Sequence, residues 1–267
     1  MFRKSFLEMR TRWLIFIFLF CVVLTVFLAM RPFAGEMMAQ FEMSSEELEK
    51  MPEFFRQMLG ETSQMQRLKD DDQYYLMSQW YAKNFGQFLP FFALIMAFPV
   101  FSREVEKKTI YFLLARMKRS RVFGLKALPG LLTTLVTVAF FALLAPFLMI
   151  LLGYDVRYTG EVFLILFQQL IGAAFFYTLF LFFSVCFNDQ IKPVIIGIII
   201  SIGLPFFSLV SGNDNWPGLG WLNPYPYIQG SSLIQNGAFD GIYTLALALT
   251  GVLVLALGYV VFKKKEF

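Results

Sequence analysis

The chain has 267 residues, of which 58% are hydrophobic and only 16% charged, well below the quarter or so typical of soluble domains. It has no histidine, so the commonest general base and metal ligand is missing and no Ser-His-Asp or Cys-His set can be assembled. The net charge of +4 is modest and in a membrane protein reflects basic cytoplasmic ends rather than nucleic-acid binding.

Long apolar runs indicate bilayer spans. The expected fold is an all-α integral membrane protein, a single domain over residues 1–267, with six transmembrane helices. Residues 1–12 place Phe2, Phe6, Met9 and Trp13 at helical spacing, with Arg3, Lys4, Glu8, Arg10 and Arg12 between them. This fits an interfacial helix with its basic side toward anionic lipid; a plain positive flank is the competing reading. Residues 13–30 form the first span. The stretch is too long for a signal-peptide core and is expected to stay as an anchor.

Residues 31–84 form the longest polar segment, with ten acidic and six basic residues. Within it 44–67 reads as an amphipathic helix, capped near Ser44 and carrying Met51, Met58 and Met65 every seven residues. That seam suits packing, with thioether capture of Cu(I) the alternative. Asp70, Asp71 and Asp72 read as a solvated turn rather than a calcium site. Residues 85–101 form the second span.

Residues 102–126 are too polar for membrane and hold eight basic residues. Ser102 is expected to cap a short helix by accepting from a free backbone N–H. Glu104 and Glu106 suit its first turn and Arg116 its end. Residues 127–152 form the third span, with Pro129 in its first turn and Pro146 expected to kink it. A short turn, 153–161, leads to the fourth span, 162–187, where Gln168 and Gln169 are placed to hydrogen-bond across helices. An inner turn, 188–192, precedes the fifth span, 193–211. Cys21 and Cys186 lie in apolar runs and read as packing residues, not a disulfide.

Residues 212–241 carry no basic residue. Trp216, Trp221, Tyr225 and Tyr227 are placed like an interfacial aromatic belt. Pro and Gly there break any continuous span and suit a partly inserted hairpin. Residues 242–262 form the sixth span, and Lys263, Lys264 and Lys265 act as a basic stop.

With the first span leaving the cytoplasm, 16 Lys and Arg fall inside and 7 outside. The positive-inside rule therefore expects both ends in the cytoplasm and residues 31–84 and 212–241 outside. No phosphate loop of the G-x-x-x-x-G-K-[ST] type occurs. The interiors of the six apolar runs carry no Asp, Glu, Lys or Arg. Ion-coupled carriers usually keep such a residue at membrane depth, so the driving energy is expected from elsewhere.

Residues 102–126 resemble the cytoplasmic loop of ABC-2 type transporter permeases. That pattern runs from an acidic residue through Gly-Thr, Leu-Leu and a Pro-Val-Ser-Arg-like turn to Gly-Lys. Glu104 or Glu106, Thr109, Leu113-Leu114, Ser120-Arg121 and Lys126 match it. The chain departs from it at Lys108, where Gly is usual, at Met117 or Lys118, where Pro is common, and at Leu125. Leu222-Asn223-Pro224 and the six-span layout also resemble the family.

The resemblance implies a membrane-spanning subunit of an ABC exporter in the bacterial plasma membrane. It implies two partner ATPase subunits that bind ATP and Mg, and a second permease chain, identical or related. This chain itself would carry no catalytic residue, cofactor or metal. Glu104, Thr109, Leu113, Leu114, Arg116, Ser120, Arg121 and Lys126 are the implied ATPase contacts, with Arg3, Lys4, Glu8 and Arg12 helping to seat the ATPase. Phe-rich spans favour an amphipathic or lipid-like cargo. The alternative is an ATP-independent carrier, or a sensing module using the Met-rich outer segment.

Overall fold

A computed structural model describes residues 2–33, 67–211 and 223–266. Every regular element among them is helical. Helix α1 is Phe2–Met30. A second helical run comprises α2 (Asp72–Tyr75), π1 (Leu76–Phe85), α3 (Gly86–Ala97) and α4 (Ser102–Glu106). Helix α5 is Ile110–Arg116, α6 Arg119–Leu151, α7 Gly160–Cys186 and α8 Ile191–Ser211. Two short helices, α9 (Tyr225–Ile228) and α10 (Ser231–Asn236), precede α11 (Gly241–Lys264).

Among the described residues, five segments are long and apolar enough to cross a membrane: Met9–Met30, Asp72–Glu106, Arg119–Leu151, Gly160–Cys186 and Gly241–Lys264. The expected fifth span falls on α8, whose apolar stretch Ile191–Phe207 is shorter.

Contacts between α1 and the second run read in opposite order along the two helices. Arg12 meets Ile95, Phe20 meets Phe85 and Phe92, and Phe27 meets Tyr75 and Trp80. The two are therefore antiparallel. Helices α7 and α11 pair most extensively. Gly251 faces Phe175 and Gly258 faces Phe182, so these two run parallel, and the absent side chains let the backbones approach. One end of the bundle thus gathers Arg12, residues 98–126, 184–192 and the tail. The other gathers residues 67–75, 154–159 and 223–240.

The boundaries differ from the hydropathy reading in three places. Helix α1 is continuous through residue 13, so no separate interfacial helix precedes the first span. The helical run that carries the second span begins at Asp72 instead of residue 85. Residues 72–84 look polar by composition, yet Leu76, Trp80 and Tyr81 are fully buried. The helix that carries the third span begins at Arg119, not 127, and its 33 residues reach about 50 Å at 1.5 Å per residue. That exceeds a hydrocarbon core of about 30 Å, so α6 projects beyond it.

Helix α6 continues through Pro129 and Pro146. Proline at 146 cannot donate to the Ala142 carbonyl one turn back. The Tyr81 hydroxyl, reaching from π1, donates to that carbonyl at 2.7 Å. Residue 81 is itself in the widened π turn, where bonds run to the fifth residue rather than the fourth. A Cβ at Gly86 would collide with the Tyr81 carbonyl, so the turn requires glycine there. Gln169 Nε2 donates to the Tyr81 carbonyl at 2.9 Å and Gln229 Nε2 to the Ala82 carbonyl at 2.8 Å. The expected cross-helix role thus holds for Gln169. The Gln168 amide, also buried, finds no partner among the described residues.

Within the acidic run Asp70 is exposed, but Asp71 and Asp72 are engaged by the protein. Asp71 caps α2 by accepting from Tyr74 N at 2.9 Å. Asp72 pairs with buried Arg31 at 2.5 Å. Helices α9 and α10, of 4 and 6 residues, are too short to span a membrane, and Gly230 and Gly237 are both at φ 67°. Tyr225 is buried, while Tyr227 stacks on Tyr243, so these two pack on the protein. Trp216, Trp221 and nearly all of the 44–67 segment lie outside the described residues. Both cysteines are free; Cys21 is exposed, so it is not the packing residue expected.

Candidate functional site

Residues 102–126 fold as two short helices and the start of α6, not as one helix. The break lies at Lys108, whose φ of 56° is left-handed. An L side chain there costs roughly 1–2 kcal/mol, which gives a physical reason for glycine at this position in the resembling loops.

Ser102 does not cap α4 in the expected way. Its hydroxyl donates back to the Phe98 carbonyl at 2.5 Å. The free N–H groups of Phe101 and Ser102 are instead accepted by Ser184 Oγ of α7, at 3.0 and 3.1 Å. Pro99 interrupts the chain just upstream, so this helix start is held by a neighbour.

Two of the expected contact residues turn inward. Glu104 Oε1 lies 2.5 Å from Lys126 Nζ, with the side chains only 14% and 11% exposed. The Thr109 hydroxyl donates to the other Glu104 oxygen. This carboxylate closes α4 onto the first turns of α6 across the intervening α5. Glu106 reaches sideways, accepting from Gln190 N at 3.0 Å and Gln190 Nε2 at 2.9 Å, which ties the loop to the 188–192 turn.

Helix α5 is seated by Ile110, which is fully buried, and by Leu113 and Leu114, which pack partly against the core. Its outer face carries Tyr111, 49% exposed, and Phe112, 71% exposed. Lys107, Lys108, Thr109, Arg116, Lys118, Ser120 and Arg121 are exposed around them. The braced loop therefore presents an aromatic knob within a basic rim. Sequence reasoning overlooked this pair as a surface feature; two adjacent aromatics inside a charged segment were the available signal.

Two further cations make contacts that the sequence pattern did not indicate, Lys265 having been expected only as part of the basic stop. Arg119 Nη1 donates to the Lys263 and Lys265 carbonyls, at 2.6 and 2.8 Å, at the end of α11. Lys265 Nζ donates to the Val185, Cys186 and Phe187 carbonyls, at 2.6, 3.3 and 3.3 Å, at the end of α7. Helix ends leave such carbonyls unpaired and favour cations. Burial holds the Lys265 ammonium below the usual lysine value.

At the N-terminus, Arg12 turns toward the bundle. Its Nη1 donates to the Ile95 carbonyl at 3.1 Å and its guanidinium lies 6.0 Å from the Phe98 ring centre. The side chains of Arg3, Lys4 and Glu8 lie outside those described. Among the described residues no cluster of three or more His, Cys, Asp or Glu could hold a metal ion.

Neither a curated protein nor a solved structure matches the chain. The family described as ABC-2 family transporter protein matches residues 2–267. With the helical bundle and its family-like loop, that match places the chain in the ABC-2 transporter family, as a multi-pass membrane permease.

Proposed function

We propose that this chain is the membrane-spanning subunit of an ATP-driven exporter in the bacterial plasma membrane, gripped by its ATPase at α4 and α5. It crosses the membrane six times, α8 supplying the fifth crossing, with both termini in the cytoplasm. ATP and Mg are bound by the partner, and two permease chains, identical or related, enclose the path. The cargo is amphipathic or lipid-like.

The observation that carries this reading is the Tyr111–Phe112 knob. A 71% exposed phenylalanine on a charged, internally braced loop is poorly suited to water. The basic rim also makes it a poor lipid-facing surface. An aromatic anchor ringed by charge fits a protein groove with an acidic border. Exposed Thr109, Arg116, Ser120 and Arg121 belong to that surface. Glu104 and Lys126 support it from behind, and Leu113 and Leu114 seat it.

Purification of the chain from its native membrane should bring down a protein with a phosphate loop. Phe112→Ala should weaken that capture about thirtyfold, or about 2 kcal/mol, with membrane insertion unchanged. Undiminished capture by this variant would remove the knob from the interface. Absence of any ATPase in the wild-type preparation would favour the ATP-independent reading.

A further inference from the structure

We propose that Arg119 and Lys265 are positioning residues that tie the ends of α6, α11 and α7 into one plate beneath the α4–α5 loop. Its mechanical role rests on the reading that an ATPase grips that loop.

The tie has two links in series. Arg119, in the first turn of α6, holds the terminal carbonyls of α11. The chain then continues past the end of α11 to Lys265, whose ammonium holds the terminal carbonyls of α7. Each link joins a charged donor to carbonyls that a helix end leaves without internal partners. Helix α7 returns the connection through Ser184, which holds the first amides of α4. The circuit thus starts and finishes on the two sides of the aromatic knob.

A plain orientation signal does not account for this. Lys263 and Lys264 are exposed, as a basic stop requires, whereas Lys265 is half-buried against three carbonyls. Lys118 and Arg121 are exposed, whereas Arg119 is half-buried. The position of each cation, not the number of cations, makes the tie. Only residues 117 and 118 separate α5 from α6, so little slack intervenes between the knob and the first link. A displacement of α5 would therefore reach three long helices together.

The test is amide hydrogen exchange on the purified full-length chain in lipid nanodiscs, followed in a peptide covering residues 183–192. Lys265→Met should speed exchange there at least tenfold, and Lys265→Arg should restore it to within twofold of wild type. Arg119→Met should speed it at least threefold, because the tail loses its anchor. The double variant should match Lys265→Met within twofold, since links in series do not add. The tie is overturned if Arg119→Met leaves the peptide within twofold of wild type, or if the double variant shows the product of the single effects. If Lys265→Met does not yield folded chain, Lys265→Gln carries the same readout. With the co-purified ATPase, both Met variants should keep capture within twofold and lose at least fivefold of the ATPase stimulation by the permease. Unchanged stimulation would overturn the plate's mechanical role. If wild type captures no ATPase, the gripping reading fails while the exchange result still decides the tie.

Discussion

The two ends of the bundle are held together by different chemistry. At the basic end, charged groups close nearly every junction: Glu104 to Lys126, Arg119 to the end of α11 and Lys265 to the end of α7. At the other end, the α9–α10 segment is attached to π1 through the neutral Gln229 amide, and the neighbouring π1–α7 contact uses the neutral Gln169 amide. Charge there lies at the Arg31–Asp72 corner, in the exposed Arg157–Asp155 pair and in the Asp240 carboxylate, which accepts from the Ser232 hydroxyl. Hydrogen bonds to charged groups contribute about 1.5–3 kcal/mol and neutral ones about 1 kcal/mol. The junctions at the basic end are therefore braced mainly by charged groups, whereas α9 and α10 are held by a neutral amide and by the burial of Tyr225, Ile228 and Leu233.

The contrast can be broken hardest at Glu104. Reversal to Lys should destabilise the chain by about 3–5 kcal/mol, the cost of leaving a buried partner uncompensated. Denaturant melts in detergent should show it, and the swapped pair Glu104→Lys with Lys126→Glu should recover more than half. A melt unchanged by the single reversal would mean that the pair does not brace the loop. At the opposite end, Gln169→Leu should cost only about 1 kcal/mol, because Tyr81 O keeps the Gly86 N–H. Its exchange signature should stay within residues 76–87 and leave 102–126 as in wild type. Spread of that signature to the basic end would erase the distinction between the two ends. The smallest effect is expected at Lys108. Glycine removes a left-handed penalty of about 1–2 kcal/mol but adds backbone entropy loss of about 0.5–1 kcal/mol. A net stabilisation near 0.5 kcal/mol should appear in the same melts, and a loss of stability would contradict the left-handed assignment.

Much of this organisation was legible in advance. Hydropathy located the helices because burial in lipid demands long apolar runs. Its largest miss was the start of the helical run that carries the second span. Asp72, Gln73, Ser78, Gln79, Lys83 and Asn84 made that stretch look aqueous, but Tyr74, Leu76, Trp80 and Tyr81 fold it into the bundle. The Met-rich segment, expected to be helical and outside, lies almost wholly beyond the described residues. The candidate site was found as a segment but not as a surface. Helical spacing distinguishes faces of a helix and does not say which face meets the rest of the chain. Glu104 was therefore expected outward and turns inward, while Phe112 went unremarked as a contact and is the most exposed side chain of the knob.

From the sequence alone came the membrane setting, the all-helical architecture and the resemblance to a family that the full-length match then established. Those properties follow from composition, local periodicity and short motifs. Only the tertiary structure decided which cations brace the loop and which remain on its surface. The deciding contacts join residues far apart in the chain: 22 positions for Glu104 and Lys126, 80 for Val185 and Lys265, and 146 for Arg119 and Lys265. No local pattern records such a pairing, because it depends on which helix ends the folded bundle brings together.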